Sequence, residues 1–206
     1  LLLWSAVFEA PQQKTSINNE DMTERSPTDQ IKMDLDSYEF ESSESEKMDT
    51  VSLEESLVNS ERVDINTPSL SGSINLQGFK IDDLILNKFN EELDPNSEKI
   101  RFLSPSDTEK SFEISFGWIK SKDAIFETPN SKTIWTLKSP TSVLMSNSEL
   151  EFEWNNQNGQ IFKTYISVDE DYLFSIRQIV VNKSDQKIIL NNASKIIRKQ
   201  TPNLSG

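Results

Sequence analysis

The chain has 206 residues, with 21 Lys+Arg against 34 Asp+Glu, no histidine and no cysteine, for a formal net charge of −13. No disulfide scaffold, thiolate metal site or cysteine nucleophile can be built from it, and a Ser-His-Asp triad has no base. So acidic a chain is also poorly suited to nucleic acid, which is held by clustered Lys and Arg.

The charge divides the chain near Glu61. Residues 1–60 hold 14 acids and 4 bases, whereas residues 61–206 hold 20 and 17. All five glycines and three of the four tryptophans fall in the second part.

The chain opens on leucine, which reads as a processed or incomplete start, and runs uncharged from Leu1 to Phe8. As a helix, eight residues rise about 12 Å, too little for a hydrocarbon core of about 30 Å. Residues 1–10 are therefore expected to be the C-terminal end of a transmembrane helix. Trp4 and Phe8 would lie in the interfacial belt, with Glu9, Pro11 and Lys14 at the exit into water. An apolar N-terminal strand and a signal-peptide remnant are the alternatives.

Residues 11–61 read as a disordered acidic linker. Their first fifty residues contain no glycine, two aromatics (Tyr38 and Phe40) and nine serines. The run Glu39-Phe-Glu-Ser-Ser-Glu-Ser-Glu46 repels itself, and the stretch buries too little to offset an ordering entropy of about 1–2 kcal/mol per residue. The acidic run reads as a solvated spacer rather than a docking tail. One local exception is Ser52-Leu-Glu-Glu55, a capping-box pattern with Leu53, Leu57 and Val58 on one apolar face.

Residues 62–206 change to a period of two. Leu70, Gly72, Ile74 and Leu76 alternate with polar residues. So do Phe112, Ile114, Phe116 and Trp118; Leu150, Phe152 and Trp154; Phe162, Thr164, Ile166 and Val168; and Tyr172, Phe174, Ile176 and Gln178. Such alternation predicts half-buried antiparallel strands with one face in the core and one in water. Asn155–Gly159, Asp94–Ser97 and Asn182–Asp185 supply turns, with Asn158-Gly159 placed to take positive φ. Pro68, Pro105, Pro129 and Pro140 fall between runs. The expected class is a mainly β, antiparallel two-sheet sandwich of about eight to ten strands. With no closing strand after the run near Lys187–Lys199, the sheets are expected to be incomplete.

Candidate chemistry is sparse. Asp169-Glu170-Asp171 is the densest carboxylate cluster of this part, but it lacks the spacing of a calcium loop and reads as a tight turn. Asp82-Asp83 are adjacent on a strand or turn and expected to point apart, unlike the converging pair of a glycosidase. Trp118, Trp135 and Trp154 read as core rather than a sugar platform. Ser71-Gly72-Ser73 lacks the rest of a phosphate loop. The residues thus predict no catalytic, cofactor-binding or metal-binding site, and an extracytoplasmic β domain on an acidic tether. An anchored or secreted carbohydrate-binding β-sandwich is the alternative.

The run from Arg62 to Leu84, RVDINTPSLSGSINLQGFKIDDL, resembles the opening of the large periplasmic domain of the YidC family of bacterial membrane protein insertases. Leu93-Asp-Pro-Asn-Ser97, Leu103-Ser-Pro105, Phe116-Gly-Trp118, Val168-Asp-Glu-Asp-Tyr-Leu-Phe174 and Val181-Asn182 match in order. Residues 1–11 resemble the end of that family's first transmembrane helix. The resemblance implies that residues 62–206 are the N-terminal part of a periplasmic β-supersandwich related in shape to sugar mutarotases. It implies insertion of membrane proteins by a C-terminal bundle of five transmembrane helices with a hydrophilic groove carrying a positive side chain. The expected partners are nascent membrane proteins, the Sec translocon and the lipid bilayer, with no cofactor. The expected location is the bacterial inner membrane, with residues 12–206 on the periplasmic side. The groove arginine has no counterpart here, and no functional residue carries over.

Overall fold

The structure is a computed structural model, and it describes residues 50–120 and 124–199. The expected membrane-helix end at 1–10, and the linker up to residue 49, lie outside the described residues.

The described chain begins with a short helix, α1 (Leu53–Val58), capped as its sequence predicts: Ser52 accepts from the Glu55 backbone N–H at 3.2 Å. Its inward side keeps Leu53 and Leu57 of the expected face but not Val58. Ser56 is the buried residue, Leu53 and Leu57 are half-buried, and Val58 is 80% exposed. The reason is a polar dock: Ser56 Oγ donates to Asp107 Oδ1 at 2.5 Å, which centres the inward face on Leu53, Ser56 and Leu57 and leaves Val58 outside it.

Eleven strands follow: β1 (Arg62–Asn66), β2 (Leu70–Asn75), β3 (Lys80–Asn90), β4 (Lys99–Leu103), β5 (Phe112–Lys120), β6 (Thr136–Leu137), β7 (Val143–Leu144), β8 (Glu149–Asn155), β9 (Gln160–Val168), β10 (Phe174–Asn182) and β11 (Leu190–Arg198). They form two sheets. The larger has the order β11-β5-β3-β2-β1-β7, with β4 also on β3, and the smaller is β10-β9-β8-β6. Pairing is antiparallel except where β7 lies parallel to β1 over two residues. The two-residue strands β6 and β7 are too short for a periodic pattern, so alternation underestimates the count.

The core lies between the sheets. The larger contributes Val63, Ile65, Leu70, Ile74, Ile81, Leu84, Leu103 and Trp118, and the smaller Leu150, Phe152, Phe162, Ile166 and Val168. At its centre is Phe79, whose ring centroid lies 5.0 Å from Phe152 and 5.6 Å from Trp135. The β2–β3 turn places it there by taking positive φ at both Gly78 (76°) and Phe79 (49°). For a bulky side chain that conformation is costly, and burial of the whole ring offsets it.

On β5 the expectation of a core face and a water face fails. Glu113, Ser115 and Gly117 are buried, whereas Phe112, Ile114 and Phe116 are half-buried. The strand is interior to its sheet, so its outward short residues lie between long neighbours: Ser115 is directly opposite Lys80 on one side and Lys195 on the other. In the connection after β8, Gln157 (62°) and Gly159 (97°) take positive φ, so the expected turn forms with Gln157 in the place foreseen for Asn158. Asn156 Oδ1 accepts from both the Asn158 and Gln160 backbone N–H groups, which holds that turn closed.

Candidate functional site

The largest assembly of charged side chains in the described residues lies on the outward face of the larger sheet. Between β2 and β3 the register slips: Ser73 pairs with Asp83 and Ile74 with Ile81, so Asp82 is an extra residue. A bulge sets two residues against one and re-aims their side chains. Asp82 and Asp83 therefore join one network, correcting the expectation that they point apart. The Arg62 guanidinium pairs with Asp82 Oδ1 and donates through Nε to Ser73 Oγ at 2.7 Å. Ser73 Oγ in turn donates to Asp83 Oδ2 at 2.8 Å. Arg101 on β4 pairs with Asp83, and Asn75 Nδ2 donates to Asp82 Oδ2 at 3.3 Å. Beside them Lys80 Nζ lies 3.3 Å from Glu113 Oε1.

Three carboxylates face three cations, so the cluster is charge-balanced. Asp82 is only 2% exposed, and burial pushes its carboxyl above the ordinary value of 3.8; the Arg62 charge and hydrogen bond oppose that shift. Glu113, itself 4% exposed, adds a smaller upward push. Buried ions of this kind need complete pairing, because removing one partner leaves the other desolvated and alone. The chemistry is that of a cross-strand clamp joining β1, β2, β3, β4 and β5. A single sequence does not show it: Arg62, Lys80, Arg101 and Glu113 look like ordinary surface charges until strand register sets them together.

The other sequence candidates are placed separately. Asp169 Oδ1 accepts from the backbone N–H groups of Asp171 and Leu173, both at 2.8 Å, so this carboxylate holds the β9–β10 turn. Among the described residues no group of three or more Asp, Glu, His or Cys side chains is arranged to hold a metal. Trp118 and Trp135 stack in the core with ring centroids 5.8 Å apart, and half-buried Trp154 packs on Phe162 at 5.6 Å. They offer no exposed platform for a sugar. Gly72 is tucked against β3 at φ 148°, where a side chain would overlap the Asp83 carbonyl. A shallow polar cavity of about 380 Å³ lies beside Asn147, Glu149, Ser167 and Asp169. Its charges are already engaged: Glu149 pairs with Arg177 at 3.0 Å, and Asp169 caps the turn.

The outward face of the smaller sheet carries a lighter ladder. Lys163 Nζ lies 2.7 Å from Glu151 and 3.2 Å from Glu153. Its hydrogen bond holds the Glu151 carboxyl below the ordinary range, and the two carboxylates raise the Lys163 ammonium.

Fold and clamp together define an antiparallel two-sheet β-sandwich domain. Residues 62–206 match the family described as the YidC periplasmic domain. The chain belongs to that family. It is 38% identical over 140 residues to the membrane protein insertase YidC of Rickettsia bellii, covering 68% of this chain and 24% of that protein. The protein of the same name from Nitrobacter hamburgensis is 37% identical over 145 residues, 70% of this chain and 24% of its own. That of Zymomonas mobilis is 39% identical over 129 residues, 63% and 21% respectively. The chain thus spans about a quarter of the length of the curated relatives it matches. No helix among the described residues is long and apolar enough to cross a membrane.

Proposed function

We propose that the chain is part of a membrane protein insertase and supplies its anchor and part of its periplasmic scaffold. The observation that carries this reading is the family match over residues 62–206, which coincides with the two-sheet domain. In this reading residues 1–10 are the end of a transmembrane helix and residues 11–61 the tether. Residues 62–206 are the first part of a periplasmic β domain at the bacterial inner membrane. The insertion groove belongs to the remainder of a protein about three times as long. The partners are nascent membrane proteins, the lipid bilayer and the Sec translocon, and the scaffold role is not catalytic.

The physical logic is one of desolvation. A polar stretch entering lipid carries a cost of several kcal/mol per unsatisfied backbone group. A water-filled groove lowers that cost for the crossing stretch while the apolar segment moves sideways into lipid. Two long edge strands, β10 and β11, each have one neighbour among the described residues. Later strands of the longer protein would continue the sheets there.

The test is complementation. In bacteria depleted of their own insertase, the intact protein is expected to restore protease-protected insertion of a single-span test protein. Failure to restore it, with the protein stably present in the membrane fraction, would overturn the reading.

A further inference from the structure

The loop joining β4 to β5, Pro105–Ser111, holds both ends of the described chain. Its neck is pinned by the paired Ser104 and Phe112 backbones, both bonds at 2.9 Å, and Thr108 Oγ1 donates to Pro105 O at 2.7 Å. On one side Asp107 takes two bonds from the N-terminal segment: its carbonyl accepts from the Val51 N–H at 3.0 Å, and its carboxylate from Ser56 Oγ at 2.5 Å. On the other side Lys199, just past β11, donates its backbone N–H to Ser111 O at 3.2 Å and its ammonium to Ser106 O.

Helix α1 has only six residues, and isolated helices that short are unstable in water because nucleation is unfavourable. Its order therefore depends on the loop. Val58 at its C-terminal end is exposed, Leu53 and Leu57 are only half-buried, and Ser56 alone is fully buried. The chain joins the larger sheet at Glu61, whose carbonyl accepts from the Leu76 N–H at 3.0 Å, and the β1–β2 ladder runs on from Arg62. Nothing in the β1–β2 pairing requires α1 to be in place.

We propose that α1 is a detachable latch, which opens and closes while the sheets stay folded and so sets how far along the chain the attachment to the β domain begins. Closed, Val51 and Ser56 are held on Asp107. Open, the chain is free as far as Glu61, which Leu76 retains. The released residues 50–60 then extend by up to about 40 Å at about 3.3–3.6 Å per residue. Because Lys199 holds the same loop, the latch and the far end of β11 are coupled. The inference does not rest on the insertase reading, since it concerns how a preceding segment is fastened, whatever that segment reaches.

Amide exchange on the intact protein tests it. In the wild type, residues 51–60 are expected to exchange about tenfold slower than a free peptide and at least about tenfold faster than the paired amides of β1 and β2, as for a local opening. Asp107→Ala and the milder Ser56→Ala are expected to erase the protection of 51–60 while leaving β1 and β2 unchanged; Asp107→Asn, which keeps an acceptor, restores part of it. Lys199→Ala is expected to raise exchange in 51–60 severalfold through the shared loop. The absence of native cysteine allows a spin-label pair at Glu54→Cys and Glu109→Cys, both exposed, expected to give a short and a long distance in an otherwise unchanged chain and the long one alone when Ser56→Ala is added. The latch is overturned by free-peptide exchange of 51–60 in the wild type, by exchange in step with β1 and β2, or by indifference to both Ser56→Ala and Asp107→Ala. Indifference of 51–60 to Lys199→Ala would overturn the coupling to β11.

Discussion

The sandwich has two side edges, and they are finished differently. At one, the chain between β5 and β8 stitches the sheets together. Trp135 N–H donates to Leu76 O on the larger sheet at 2.9 Å, and Thr136–Leu137 pairs with β8 of the smaller. The same segment then returns to lie parallel to β1 through Val143–Leu144 and bridges to Val168 through Ser146. At the other edge, β10 and β11 run nine residues each with one neighbour apiece among the described residues. Gln178 Nε2 reaches across to Gly117 O at 3.2 Å, and Ile176, Val180 and Leu190 pack on the shared core. Ile179, Val181 and Ile196 are exposed on these strands. The contrast shows how a sandwich manages its unpaired backbone: short irregular strands and prolines blunt one side, whereas long regular strands leave the other able to accept more sheet.

The sharpest way to break this comparison is to truncate matching apolar residues on the two sides. Trp135→Ala, on the stitching segment and 2% exposed, is expected to cost about 3–5 kcal/mol in urea unfolding. Ile196→Ala, 68% exposed on β11, is expected to stay within about 0.5 kcal/mol. Equal effects would mean that the edges are alike. A comparable loss, about 3–5 kcal/mol, is expected for Arg62→Ala, which strands Asp82 as an unpaired buried charge; a smaller loss would show that Asp82 reaches water.

The open edge also predicts association. The chain is expected to self-associate with rising concentration in analytical ultracentrifugation, and Ile179→Lys with Ile196→Lys to increase the monomer fraction, because charge on an edge strand opposes strand addition. A monomer at every concentration would show that β10 and β11 are shielded.

The two charged faces differ in their pH response. The Asp82 carboxyl is raised in the fold, so the folded state holds that proton more tightly than the unfolded chain. Its contribution to stability therefore falls as pH rises from 3.8 through the folded value. Glu151 is lowered, so its contribution is present above 4.5 and is lost as pH falls. Urea melts across this range should show the wild type losing stability relative to Asp82→Asn as pH rises, and gaining it relative to Glu151→Gln. The surface ladder contributes little: Glu151→Gln is expected to cost about 0.2–1 kcal/mol at neutral pH and to approach zero in high salt.

Much of this architecture is legible in the residues. The alternation of Leu150, Phe152 and Trp154 against Glu149, Glu151 and Glu153 marks a strand with a charged outer face, and β8 has that form. The capping box at Ser52 marks α1. The failures cluster where a residue's fate depends on a neighbour far away in sequence. Glu113 alternates as a water-facing residue should, yet Lys80 and the strands flanking β5 bury it. Asp82 and Asp83 look like opposed neighbours, and a one-residue slip against β2 turns both into the same clamp. Val58 reads as part of the apolar stripe of α1, but the Ser56 contact to Asp107 centres the inward face on Leu53, Ser56 and Leu57 and leaves Val58 exposed.

By itself, the sequence determined the two-residue rhythm, the positions of the turns, the absence of histidine and cysteine chemistry, and the family to which residues 62–206 belong. These are local properties: side-chain alternation and turn preference are read over a few residues at a time. Only the tertiary structure decided which strands became edges, which charges were buried together and where α1 fastens. Those outcomes depend on register and on long-range pairing, in which a shift of one residue exchanges the inner and outer faces of a strand.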